Sequence, residues 1–265
     1  MAYVIAISNE KGGVAKTTTA ISLGAALTEQ GFSVLLMDLD PQANLSLGLG
    51  IEKNGARITM ANVLLESHPL AEAIQTTEIE RLFLVPSASR LETAEQSLPF
   101  RGHFMTLLRE ALQALSEKRS FDYILLDCPP ALGSLTLNAL AAAHLLIIPT
   151  QPEFFSAYAL RDMMSLIRRV RAEANPELAY RILVTMMDRR NRVHREIHEQ
   201  LCKTFAQGIF NTVIEVDTRL RESPIAGLPI THYKGNSRSA QQYRALAQEL
   251  VEYVQEKSLA RGKSL

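Results

Sequence analysis

The run Val34-Leu-Leu-Met37 is apolar at every position, with none of the alternation that a half-exposed strand shows. Such a run suits a strand covered on both faces. The same character recurs at Tyr3–Ser8, Leu82–Val85, Tyr123–Leu126, Leu145–Ile148 and Ile182–Thr185. Between these runs lie segments with helical spacing of apolar residues: Lys16–Gln30, Arg101–Leu115, Ser134–Ala143, Ala157–Ala174 and Val193–Phe205. Gly31 punctuates the first of them, where a helix end favours glycine. Doubly covered strands alternating with helices require helices on both sides of a sheet. The pattern therefore predicts an α/β fold with a mainly parallel, twisted sheet. No repeat, low-complexity linker or compositional break interrupts it. One domain over residues 1–265 is expected, with no helix-turn-helix domain ahead of the first strand.

The last helical segment, Ser239–Lys257, sets Tyr243, Leu246, Leu250, Val251 and Val254 on one stripe. A membrane-surface helix needs a broad apolar face opposed by a basic one. Here the stripe is narrow, and Glu249, Glu252 and Glu256 offset the cations, so a helix docked on the sheet is expected.

Composition removes several classes. Two cysteines, Cys128 and Cys202, cannot build a disulfide framework or a four-thiolate zinc site, and they suit a reducing cytosol. No stretch reaches the roughly 18 apolar residues of a membrane span. The start of the chain lacks the basic-then-apolar order of a secretory signal, and a cytoplasmic location is expected. Formal net charge is zero, yet it divides unevenly. Residues 1–160 carry 10 basic and 16 acidic side chains, and residues 161–265 carry 18 and 12. A balance of −6 against +6 points to a polyanion-binding face on an otherwise acidic body.

The densest chemistry is Lys11-Gly12-Gly13-Val14-Ala15-Lys16-Thr17-Thr18, which follows the first strand and opens the first helix. A glycine-rich turn in that setting aims backbone N–H groups and the positive helix end at phosphate oxygens. Lys16 then reaches terminal phosphates, and the Thr17 hydroxyl is placed to ligate Mg²⁺. The usual G-x-x-x-x-G-K-[ST] pattern fails, because Ala15 stands where its second glycine belongs. The deviant form K-G-G-x-x-K-[ST] fits, with Lys11 as its extra lysine. An alanine at a position needing φ > 0 costs about 1 kcal/mol more than glycine. Asp38 and Asp40 end the second strand, at the carboxyl edge where open α/β sheets bind ligands. Asp127 closes another buried strand ahead of Pro129 and Pro130, which is where a Walker B carboxylate supports Mg²⁺.

The loop, together with Val34-Leu-Leu-Met-Asp-Leu-Asp-Pro-Gln-Ala-Asn and Tyr123-Ile-Leu-Leu-Asp-Cys-Pro-Pro-Ala-Leu-Gly, resembles the ParA/Soj partition ATPases of the ParA/MinD group. The resemblance continues through Pro149-Thr-Gln-Pro-Glu-Phe-Phe, Leu183-Val-Thr-Met-Met-Asp and Arg219-Leu-Arg-Glu-Ser-Pro-Ile-Ala-Gly-Leu-Pro-Ile, so it spans nearly the whole chain. It implies a P-loop ATPase that uses ATP and Mg²⁺. In that pattern Asp40 sits beside the γ-phosphate and positions the attacking water, and Asp38 supports the metal site through hydrogen bonds or water. Lys11 crosses a dimer interface to phosphates bound by the partner subunit, where a fixed cation stabilises developing charge. Met186, Asp188 and Pro224 border the base, and Glu153 reaches a ribose. Cycling between an ATP-bound homodimer and separated subunits follows, with slow turnover in the absence of a ParB-type centromere-binding protein.

The excess cations are clustered. Arg168, Arg169 and Arg171 close one helix, Arg189, Arg190, Arg192 and Arg195 lead into the next, and Arg219 and Arg221 follow. Arginine suits bidentate phosphate contacts. By resemblance, the groups from Arg189 onward meet double-stranded DNA without sequence preference. His194 and His198 are spaced i, i+4, but H-R-E-I-H is not the zinc motif H-E-x-x-H. Four rival readings remain open: a positioning ATPase for a non-DNA cargo, a MinD-like membrane cycle, an iron–sulfur reductase with a related loop, and a DNA-binding module that does not hydrolyse ATP.

Overall fold

The computed structural model describes residues 2–52 and 55–262. Its strands are β1 (Tyr3–Ile7), β2 (Val34–Asp38), β3 (Gln75–Thr76), β4 (Leu82–Val85), β5 (Tyr123–Asp127), β6 (Leu145–Thr150) and β7 (Ala179–Val184). They form one sheet in the order β3-β4-β2-β5-β1-β6-β7. Every neighbouring pair is parallel except the β3–β4 edge. The helices are α1 (Lys16–Glu29), α2 (Asn44–Gly48), α3 (Met60–Glu66), α4 (Leu91–Ser97), α5 (Leu107–Ser116) and α6 (Ser134–Ala142). They continue as α7 (Ser156–Glu173), α8 (Arg192–Phe205), α9 (Arg219–Glu222), α10 (Ile230–Tyr233) and α11 (Arg238–Gly262). The mainly parallel, doubly covered sheet expected from the apolar runs is what forms.

Successive strand residues point to opposite faces, and both faces are apolar, which is why the runs read as continuous. Ala6, Met37, Leu126 and Ile148 face one layer, which includes Leu108 of α5, Leu140 of α6 and Met163 of α7. Ile5, Leu36, Leu125 and Ile147 face the other, with Leu23 and Leu27 of α1 and Tyr243, Leu246 and Leu250 of α11. Tyr243 is wholly buried, and its hydroxyl lies 3.3 Å from Thr19 Oγ1 of α1.

Register positions the site. Ile7 of β1 and Asp38 of β2 both stand opposite Asp127 of β5. The chain therefore leaves β1, β2 and β5 side by side, at one carboxyl edge.

The helix read over Arg101–Leu115 begins six residues later, at Leu107. Arg101 is drawn elsewhere: its guanidinium donates to Leu64 O (3.1 Å) and Leu65 O (2.9 Å), satisfying carbonyls at the end of α3. His103 then takes φ 60°, which breaks any helix through that point. The short antiparallel β3 has no counterpart in the apolar pattern.

Candidate functional site

The loop after β1 is fixed at its start by Asn9, whose Nδ2 donates to Pro149 O (2.8 Å) and whose Oδ1 accepts the Lys11 N–H (3.0 Å). Val14 is buried, and its carbonyl accepts from Thr185 Oγ1 at 3.1 Å. Gly13 takes φ 73°, and Ala15, the residue that caps α1, takes φ 65° and ψ 34°. Alanine thus occupies the left-handed conformation that the missing glycine would have adopted freely. A Cβ built on Gly12 or Gly13 would meet nothing within 4 Å, so the loop encloses open space. That concavity sits at the N-terminus of a fourteen-residue helix, the standard physical setting for a phosphate.

Lys16 is 8% exposed, and its Nζ donates to Lys11 O at 3.1 Å. Burial lowers the basicity of its amine, while Asp127, Cys128 and Asp40 act in the opposite sense. Lys11 points to the other rim, where its Nζ reaches Glu153 Oε2 at 2.5 Å and Gln151 Oε1 at 3.3 Å.

The three aspartates have different surroundings. Asp127 is fully buried, and neither carboxylate oxygen has a hydrogen-bonding partner in the protein. Burial pushes its carboxyl well above the usual range and the Asp38 carboxylate adds to this, while the nearby Thr17 hydroxyl, short of a well-formed hydrogen bond, and the Lys16 ammonium partly offset it. Asp38 is also fully buried but engaged: Oδ1 accepts the Asp40 N–H (3.1 Å), and Oδ2 accepts Ser46 N (2.9 Å) and Ser46 Oγ (2.7 Å). Burial still raises its pKa to about 7. With both oxygens occupied, Asp38 acts on its surroundings through these bonds. Asp40 is 7% exposed, accepts the Gln42 N–H on Oδ1 (2.9 Å), and is held by Ser87 Oγ donating to its carbonyl (2.6 Å).

A cleft of about 620 Å³ brings together Gly12, Gly13, Ala15, Lys16, Thr17, Thr18, Asp40, Met186, Pro224 and Arg221. Lys11, Val14, Asp38, Asp127, Glu153 and Asp188 are not in its lining. The Asp188 carboxylate instead binds Arg190, and its N–H donates to His194 Nδ1. Ala15, Ala43 and Met186 all have positive φ, and the first and last of them border the cleft directly. Non-glycine residues held this way persist only where surrounding structure enforces them, and they cluster at functional sites. A larger hollow, about 850 Å³, lies around Tyr3, Phe32 and Tyr123 and contains none of the phosphate-loop residues. The 620 Å³ cleft is therefore the chemically equipped one.

The arginines spread over the turn before α8, α8 itself and α9. Arg190 pairs with Asp188, Arg192 with Glu196, Arg189 with Glu215 and Arg219 with Asp217. Arg195 donates to Arg189 O, and Arg171 to Leu178 O. Sequence reasoning missed Ser46 and Glu215. Ser46 gives no signal within Asn44-Leu-Ser-Leu, and Glu215 reads as one more loop carboxylate. Among the described residues, no cluster of three His, Cys, Asp or Glu side chains is placed to hold a metal, and no helix is long and apolar enough to cross a membrane.

Known proteins resemble this chain in sequence and fold. The family model described as an AAA domain matches residues 2–180. The chromosome partitioning protein ParA of Caulobacter vibrioides is 39% identical, over 94% of this chain and 93% of its own length. The sporulation initiation inhibitor protein Soj of Bacillus subtilis is 39% identical, over 95% and 99%. A crystal structure of cobyrinic acid a,c-diamide synthase from Mycobacterium smegmatis, with bound ADP and magnesium, superposes with a TM-score of 0.84. It is 34% identical, with 96% of each chain covered. Likeness at this level, over nearly the whole chain and not over the phosphate loop alone, makes this protein a member of the ParA/Soj family of partition ATPases.

Proposed function

We propose that this chain, acting as one ATPase domain, is a cytoplasmic Mg²⁺-dependent ATPase that segregates chromosomal or plasmid DNA. ATP binding joins two copies, the pair holds double-stranded DNA without sequence preference, and a ParB-type centromere-bound partner speeds hydrolysis and releases it. The observation that carries this reading is Asp127. A fully buried carboxylate with two unpartnered oxygens is costly unless a cation comes to it. A cation that takes most of its shell from phosphates and water needs only one or two protein ligands, which suits this site. Thr17 and Asp127 would hold Mg²⁺, with Asp38 behind them; when bound, the ion neutralises charge on the transferred phosphoryl group. A relative solved with ADP and magnesium supports a nucleotide and Mg²⁺ as the occupants of such a site.

In this reading the loop N–H groups from Gly12 to Thr18 cradle the phosphates, and Lys16 leaves Lys11 O for the terminal oxygens. Asp40 orients the attacking water. Lys11 and Glu153 part before either can act, the lysine crossing to the partner's nucleotide and the glutamate turning to a ribose. Met186, Pro224 and Asp188 lie about the base. Turnover is slow until DNA and the ParB-type partner are present.

The test is nucleotide binding and DNA binding measured with ADP, ATP and a slowly hydrolysed analogue, with phosphate release recorded in parallel. Lys16→Ala is expected to lose nucleotide binding, and Asp40→Ala to remain an ATP-bound dimer on DNA. DNA binding that ignores nucleotide, or an Asp40→Ala protein that hydrolyses ATP at the parent rate, would overturn the mechanism.

A further inference from the structure

Glu215 stands between the nucleotide cleft and the arginine surface. It lines the cleft beside Val216 and Asp217, in the segment that bridges to Met187. Its carboxylate is split between two cations from separate elements. Oε1 accepts Arg189 Nε at 2.7 Å, from the turn before α8, and Oε2 lies 2.9 Å from Arg238 Nη1, at the first residue of α11. Arg238 Nη2 also donates to Val216 O at 2.9 Å, and Gln242 of α11 accepts the Glu215 N–H at 3.0 Å.

The three side chains differ sharply in exposure. Glu215 is 12% exposed, whereas Arg189 is 62% and Arg238 is 55%. A carboxylate pinned this way is not readily displaced by solvent or a passing anion. The Arg190–Asp188 and Arg192–Glu196 pairs are different, because their arginines are 91% and 83% exposed. Such pairs exchange partners at little cost. Arg189 and Arg238 are thus cations at the surface whose charge is neutralised from beneath, by a residue that belongs to the cleft wall.

We propose that Glu215 masks Arg189 and Arg238, and that a change in the cleft wall unmasks both as a pair of phosphate-contacting residues for double-stranded DNA. The inference rests on the nonspecific DNA binding proposed above and adds Arg238 to the surface that carries it. When the 215–217 segment shifts against a nucleotide, the carboxylate is withdrawn from both guanidiniums together. Each is then free for a bidentate contact with a backbone phosphate. Cleft occupancy and DNA affinity are coupled through one side chain.

The test is binding of mixed-sequence duplex DNA across a salt series, without nucleotide and with ATP, for the parent, Glu215→Gln, Glu215→Gln/Arg238→Gln and Glu222→Gln. The last removes the same charge from an exposed carboxylate whose partner is Tyr233 and not an arginine. Without nucleotide, Glu215→Gln is expected to bind DNA at least tenfold tighter than the parent. Its slope of log K against log salt should be steeper by roughly two phosphate contacts, at about 0.9 each. The double variant is expected to return about half of that steepening, and Glu222→Gln to leave the slope at the parent value. A Glu215→Gln slope equal to the parent's, in a parent that binds DNA with ATP, overturns the masking role alone. Equal gains in Glu215→Gln and Glu222→Gln overturn it too, since net charge would then be the cause. Absence of DNA binding by every protein in every nucleotide state overturns the function proposed above, and this inference with it.

Discussion

Two neighbouring loop residues, Gly13 and Ala15, show how backbone conformation is divided between sequence and fold. Both have positive φ, yet only one is glycine. The left-handed region costs an L-residue about 1–2 kcal/mol, while glycine loses more entropy on folding, by about 0.4–1 kcal/mol. Ala15→Gly is therefore expected to raise the stability of the nucleotide-free protein by about 0.5 kcal/mol. Gly13→Ala should lower it by about the same amount, with no steric contribution, since the added methyl has open space around it. Urea midpoints at constant m-value measure both. The buried carboxylates give a prediction of opposite character. The carboxyl of Asp127 is raised well above the usual range by burial and by Asp38, so its charged form destabilises the fold. An acid whose folded pKa exceeds its unfolded one takes up protons on folding, so stability falls as pH rises between the two values. Asp127→Asn removes the charge with little change of shape. It is expected to melt higher than the parent at pH 8, by about 2–4 °C for each kcal/mol gained, and closer to the parent at pH 5. Mg²⁺-dependent hydrolysis should be lost. A melting difference that is the same at both pH values would remove charge burial as the cause.

Helix α2 shows what a single short element does for the site. Its Ser46 hydroxyl donates to Asp38 and accepts the Ser87 N–H at 3.1 Å, while Ser87 Oγ holds the Asp40 carbonyl. Two aspartates, one helix and the strand-end loop after β4 are thus locked into one buried network. Ser46→Ala strands a buried N–H and removes one of three bonds to Asp38. The expected loss is about 1–3 kcal/mol in unfolding free energy. Turnover should fall more than nucleotide affinity does, because Asp40 is displaced while the phosphate loop is not. None of this is legible in the sequence. Asp38, Asp40 and Asp127 are readable because they end apolar runs, and strand ends converge in a parallel sheet. Ser46 lies on a five-residue helix too short for any periodicity to register. The same limit hid β3, with two residues, and the late start of α5, where a tertiary bond from Arg101 to α3 overrides local pattern. The long elements, by contrast, lie within a residue or a few of where their spacing put them, α11 running furthest past its expected end, because burial, on both faces of the strands and along the helices, dictates the sequence along their length.

Across the whole molecule, neutral net charge conceals an uneven distribution, with acidic excess in the first 160 residues, which hold the loop and the three aspartates, and basic excess in the remainder. Counting arginines does not identify which of them are available to a polyanion; their partners do. Arg171 donates through Nε and Nη2 to Leu178 O (2.8 and 2.6 Å), and Arg101 closes α3, so both are committed to the backbone. Arg190 holds the part-exposed Asp188 and Arg192 the exposed Glu196, in surface pairs of little net worth. In the proposed DNA complex a phosphate would replace such a partner easily, and released counterions would drive binding. Arg190→Gln with Arg192→Gln is therefore expected to flatten the salt dependence of DNA binding by about 1.8 in log–log slope, with ATP binding and melting temperature nearly unchanged. Arg171→Gln is expected to do the reverse, lowering the melting temperature while the slope stays at the parent value. If the paired substitution left the slope untouched while Arg171→Gln flattened it, the DNA surface would lie over the end of α7 and not on α8. The basic half would then meet its partner through a neighbouring helix on the same face of the sheet.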